Sequence, residues 1–146
     1  MLYFTPAHLE SLKQRDSSKS PKRRDSQQNG VIESLRMRSA DLQQEELYTQ
    51  EFADSVEDQH GNFYTIAQQL NRFAETLGLL YAITEDAQAL AKLREALLHY
   101  AQFSRWTGPT NPRRTPPWHA GLETAEIVGA YAIAYDFIHE IGRAHV

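Results

Sequence analysis

A chain of 146 residues with 41% hydrophobic and 23% charged residues has the size and balance of one ordinary domain with a modest core, not of a disordered segment. It contains no cysteine, which excludes disulfide frameworks, thiolate zinc sites and cysteine nucleophiles. No apolar run approaches the roughly 18 residues that a membrane span requires.

The net charge of −4 is segregated along the chain. Residues 1–38 carry eight Lys/Arg against four Asp/Glu, whereas residues 39–60 carry seven acids and no Lys or Arg. The basic run Lys19-Ser20-Pro21-Lys22-Arg23-Arg24 has neither interleaved aromatics nor a nucleic-acid-binding motif, so it reads as a solvated loop and no nucleic-acid partner is expected. The opening MLYFTPAHLE lacks a basic stretch followed by an apolar one, so no signal peptide is visible. Either the protein stays inside the cell or its true start lies upstream of Met1.

Thr5-Pro6 predicts a helix start, with Thr5 as cap and Leu9 and Leu12 on one face, running to about Arg15. Residues 16–30, polar and broken by Pro, Asn and Gly, predict a flexible loop. Ile32, Leu35, Leu42, Leu47, Phe52 and Val56 then give one long or two shorter helices with a narrow apolar stripe. After His60-Gly61, Asn62 is placed to cap a helix carrying Phe63, Ile66, Leu70, Phe73, Leu77 and Leu80 at steps of three and four. Ile83-Thr84-Glu85-Asp86 ends it, with Thr84 as the cap of a helix bearing Leu90, Leu93, Ala96, Leu97, Tyr100 and Phe103. So short a connection makes these two helices antiparallel. Ser104 to Gly121 is a second break, with four prolines, two glycines and both tryptophans. A last helix from Leu122 has a broad apolar surface suited to a layered helical array. Without strand-like alternation anywhere, the class is all-α.

Chemistry is sparsely signposted. The six histidines show no H-x-x-x-H or H-E-x-x-H spacing, the seven glycines form no phosphate cradle, and no G-x-S-x-G elbow occurs. No catalytic residue, metal site or cofactor is therefore assigned. His99, beside Leu97 and Tyr100, is expected to be a surface or satisfied histidine, and Glu126 and Asp136 to be ordinary helix-surface carboxylates. The Pro-rich loop is the informative segment, because it gathers Arg105, Arg113, Arg114, Trp118 and His119. Aromatic faces stack on sugar rings, and guanidinium forks bind carboxylates or sulfates through paired hydrogen bonds. These five residues are the candidate binding set. The alternative is that both tryptophans tie the loop to the core and the arginines are solvated.

Three phrases occur in a telling order: LYFTPAHLESLKQR at the start, LGLLYAITEDAQALAKLREALLHYAQF in the middle, and WHAGLETAEIVGAYAIAYDFIHE near the end. Together, over about residues 1–18 and 60–139, they resemble the N-terminal helical domain of heparinase II/III-like polysaccharide lyases. The resemblance implies an incomplete (α/α) toroid of antiparallel helical hairpins over residues 1–140. It also implies β-elimination on a uronic-acid-containing polysaccharide, glycosaminoglycan- or alginate-like, in a periplasmic or secreted protein. The partner implied is an anionic polysaccharide. No catalytic motif of that family falls within residues 1–139, so this chain by itself is expected to be inactive. Residues 16–60 depart from the family pattern. The competing expectation is a non-catalytic helical-repeat interaction module, although the hairpin at 62–103 finds no second copy. Ile141-Gly142-Arg143-Ala144-His145-Val146 back-translates to the start of a sequencing-library adapter and is expected to be a non-native tail.

Overall fold

The computed structural model describes the backbone of residues 6–17 and 23–144, and the side chains of residues 7–14 and 29–139. Six α-helices account for the described chain: α1 (Pro6–Ser17), α2 (Arg23–Gln44), α3 (Gln50–Asp54), α4 (Phe63–Thr84), α5 (Ala87–Ala101) and α6 (Leu122–Ala144). One 3₁₀ turn, Asn111–Arg113, interrupts the Pro-rich loop. There is no strand among the described residues, so the all-α expectation holds. The Thr5 cap, most of the basic run at 19–24 and the last two residues of the expected tail lie outside the described residues.

The described residues within 16–30 are helical where composition suggests a loop. Asp16 and Ser17 close α1, and Arg23 to Gly30 form the opening two turns of α2. Arg and Gln are good helix formers, and an exposed glycine costs a helix only about 1 kcal/mol, so Gly30 weakens the helix without ending it. Ile32, Leu35 and Leu42 are buried as predicted, but Val56 is 41% exposed, lying past the end of α3.

Helix α4 is the axis of the molecule, packing against α1, α2, α5 and α6. Its core side chains surround it: Phe63, Ile66, Leu70, Phe73, Leu77 and Leu80 are almost wholly buried. The approach of α6 depends on Gly78. A Cβ there would lie 2.6 Å from Cδ2 of Phe137, so the missing side chain is the seat for that ring.

The chain between α2 and α3 is held extended by side chains of α4 and α5. Tyr48 N–H donates to the Tyr100 hydroxyl at 2.9 Å, and His99 Nε2 donates to Tyr48 O at 2.7 Å. Lys92 reaches Glu45 O, and Gln69 reaches both Glu46 O and the Glu45 carboxylate, each at 3.0 Å. Backbone groups that a continued helix would pair internally are thus satisfied by side chains, and α2 can stop at Gln44. His99 is the satisfied histidine expected.

Helix caps differ from expectation in mechanism. Asn62 stands at the N-cap of α4, but its side-chain amide donates backwards to Phe52 O at 2.8 Å and Ser55 Oγ at 2.9 Å, tying α4 to α3. The cap of α5 is Asp86, not Thr84: one Asp86 oxygen accepts from Gln88 N and Ala89 N, both at 2.9 Å. Thr84 instead donates to Leu80 O within α4. Glu85 takes the left-handed conformation that ends α4, with φ 58°, which leaves Asp86 as the extended residue that a cap requires.

Candidate functional site

Two irregular segments, 55–62 and 102–121, fold against each other beside the first turn of α6. Asp58 organises the first. Its Oδ1 accepts from His60 N at 2.7 Å and Gly61 N at 2.6 Å, and these bonds, His60's first, hold the carboxyl below its usual value. Gly61 then turns with φ 55°, where a side chain would be strained and would strike Ala53 O. Gly108 lets the second segment close on the first. A Cβ on it would lie 2.3–2.5 Å from backbone atoms of Gln59, Asp58 and His60. Gly108 N donates to Gln59 O at 3.2 Å, and the Asn111 amide donates to the same oxygen at 2.7 Å.

Glu123 joins both segments to α6. It has no exposed surface, and each carboxylate oxygen has a donor: Thr107 Oγ1 at 2.6 Å from Oε1, and His60 Nδ1 at 2.9 Å from Oε2. Burial pushes its carboxyl up, but donors outweigh this. Bonds from Thr107, from His60 and from the Glu123 and Gly108 amides leave it below the usual carboxylate value. Glu123 is therefore an ionised carboxylate under the surface. It folds back over Gly121, where a Cβ would lie 2.4 Å from Oε1.

The hydrogen bonds of this cluster have a fixed direction. Arg114 can only donate, and it donates to Gln59 Oε1 at 3.1 Å. Gln59 Nε2 must then be the amide nitrogen, and at 3.0 Å from His60 Nε2 it is a donor facing an acceptor. His60 therefore carries a proton on Nδ1, directed at Glu123. On the other side, Asn111 Nδ2 donates to Thr107 Oγ1 at 2.6 Å, leaving the Thr107 hydroxyl proton for Glu123. Asn111 Oδ1 is buried without a protein partner.

An open cleft of about 370 Å³ lies over the cluster. Trp118, Ala120 and Leu122 give it an apolar side, while Gln59, His60 and Asn111 give it a polar one, with Gly121 and Glu123 at its base. Of the five loop residues proposed from sequence, only Trp118 lines this cleft. Its indole is 47% exposed, with the Arg114 guanidinium 4.1 Å above the ring. Arg114 thus borders the cleft through Trp118 and Gln59. Arg105 is drawn to Asp54 at 2.5 Å, and Arg113 pairs with Glu57. His119 is exposed and outside the lining. Trp106 is the core anchor, its indole N–H donating to Tyr100 O at 2.8 Å and its ring packing on Tyr131.

His60, Thr107, Asn111 and Glu123 are absent from the sequence-based set. Glu123 reads as an ordinary acid complementing a helix N-terminus, and His60 as loop. Their partnership spans 63 residues, beyond any local pattern. The available signal was glycine placement, since Gly108 and Gly121 both mark close approach. Among the described residues, no group of three or more His, Asp or Glu side chains is placed to hold a metal ion. None of their helices is long and apolar enough to cross a membrane. No protein-family model matches the chain, and no curated protein or solved structure matches it either.

Proposed function

We propose that this chain is a helical, saccharide-holding part of a polysaccharide lyase that cleaves uronic-acid-containing polysaccharide by β-elimination. The observation that carries this reading is the Arg114–Trp118 pair at the cleft, a guanidinium 4.1 Å above a half-exposed indole. An aromatic face offers a sugar ring a stacking surface, and the guanidinium offers a carboxylate a forked donor. The three sequence phrases that resemble heparinase II/III-like lyases supply the reaction class. β-Elimination needs a group that neutralises the uronate carboxylate, a base for the neighbouring carbon's proton, and an acid for the leaving oxygen. The chain is given the first kind of task only, through Arg114, and no catalytic residue is assigned in it.

Binding decides the matter. A uronic-acid-containing hexasaccharide titrated into the purified chain should bind, and Trp118→Ala should weaken it by about tenfold or more, as removal of an aromatic anchor does. Unchanged affinity in Trp118→Ala would overturn the reading. The purified chain should also generate no unsaturated-uronate absorbance.

The non-catalytic interaction module keeps one observation in its favour. Val128 and Tyr135 of α6 are large apolar side chains 51% and 61% exposed. Saccharide binding that requires Trp118 distinguishes the two readings.

A further inference from the structure

The candidate loop is rich in arginine, yet the cleft beside it is not cationic. Arg105 is neutralised by Asp54 and Arg113 by Glu57. Asp58 is spent on the turn that shapes the segment. Beneath the cleft lies ionised Glu123, which accepts from Thr107 Oγ1 and from His60 Nδ1. Counting these groups gives three arginines against four carboxylates (Asp54, Glu57, Asp58 and Glu123). Among the loop's arginines, Arg114 alone has no carboxylate partner among the described residues; it bonds to the neutral Gln59 side chain and stacks on Trp118.

A second carboxylate inside this cleft would face a like charge that burial screens poorly. An uncharged ring meets no such opposition. It finds an indole, Ala120 and Leu122 for its apolar face, and Gln59 and Asn111 for its polar groups. The cleft and its border thus divide the labour: the border offers a cation, and the interior rejects an anion. Specificity of this kind comes as much from the disfavoured ligand as from the favoured one.

We infer that the cleft is a subsite for an uncharged sugar ring stacked on Trp118, with the acidic ring of the same chain lying outside it on Arg114, and that Glu123 is the residue excluding a uronate from within. This rests on the saccharide-binding reading above and narrows it to polysaccharides in which acidic and uncharged rings alternate. Chains acidic at every ring are disfavoured.

The test compares two hexasaccharides on the purified chain by calorimetric titration at neutral pH. One alternates uronate with unsulfated N-acetylhexosamine, and the other is a hexauronate. The alternating chain should bind at least about tenfold more tightly. Glu123→Gln, which removes the charge, keeps an acceptor for Thr107 and sets an amide N–H against the His60 Nδ1–H, should bring the two affinities within about threefold. Arg114→Gln should weaken the alternating chain by a larger factor than an oligomer of N-acetylhexosamine alone. Equal affinity of the two hexasaccharides for the unaltered chain would overturn the subsite while leaving saccharide binding intact. Binding of neither would remove both readings. If Glu123→Gln fails to show the native helical circular dichroism, the ranking in the unaltered chain and the Arg114→Gln result decide the question.

Discussion

Tyr100 sits wholly inside the molecule with its hydroxyl engaged twice. It donates to Gln69 Oε1 at 2.5 Å and accepts from Tyr48 N at 2.9 Å. The ring packs edge-on against His99 and Phe103, so one residue links the core of α5 to the extended chain after α2. Removing only the hydroxyl leaves the packing and orphans a backbone N–H and an amide oxygen. Such groups carry their desolvation cost unrelieved, about 1–3 kcal/mol. Tyr100→Phe should therefore lower the free energy of unfolding in urea by that amount, with the slope against urea unchanged. A neutral effect would mean that the extended segment is held by its other contacts alone. The orphaned Asn111 Oδ1 is the converse case, a buried acceptor that the fold leaves unmatched within the loop cluster.

At the scale of elements, glycines in the two long helices separate packing from propensity. Gly78 of α4 sits under Phe137, whereas Gly129 of α6 has nothing within 4 Å of where a Cβ would be. Both would gain helix propensity on substitution by alanine, about 1 kcal/mol each. Gly129→Ala should realise that gain and raise the midpoint of thermal unfolding. Gly78→Ala must displace an aromatic ring, and overpacking of about 1–3 kcal/mol outweighs the propensity. Opposite signs are the expected outcome, and a stabilising Gly78→Ala would show that α6 can shift on α4. The period of apolar residues located α4, α5 and α6 because burial on one face imposes that period locally. The start of α2 was hidden, since Arg23 to Gly30 is helix without an apolar stripe to announce it. The cap of α5 was misplaced by two residues because Thr84, Glu85 and Asp86 are all plausible locally, and the left-handed turn at Glu85 selects among them. The loop arginines and Trp118 stood out by type, but Asp54 and Glu57, which take up Arg105 and Arg113, come from a segment about fifty residues earlier. Local sequence does not reveal such pairings, nor the His60–Glu123 bond.

For the molecule as a whole, the titrating groups lie in two separate regions, which makes pH a probe of cooperativity. Glu123 and Asp58, both with lowered pKa values, belong to the loop cluster beside the cleft. Their stabilisation is present above their unfolded values of 4.5 and 3.8, and is lost as pH falls through the lower folded values. Tyr100 and Tyr131 belong to the packing of α4, α5 and α6, and burial raises both from 10.0 to about 12. A raised tyrosine favours folding while the unfolded phenol is still protonated. That contribution is whole below pH 10 and disappears between 10 and about 12. If the loops and the helices unfold together, one transition should carry both arms, with the thermal midpoint level between them and falling at each end. Glu123→Gln should then flatten the acid arm in part, since Asp58 remains, and leave the alkaline arm unchanged. Tyr131→Phe, which gives up the bond from its hydroxyl to Leu97 O, should flatten the alkaline arm in part, since Tyr100 remains, and spare the acid one. Two transitions that separate at low pH, seen as tryptophan fluorescence changing before helical circular dichroism, would mean instead that the cleft opens while the helical core stands. The cleft would then be a weaker unit than the scaffold carrying it.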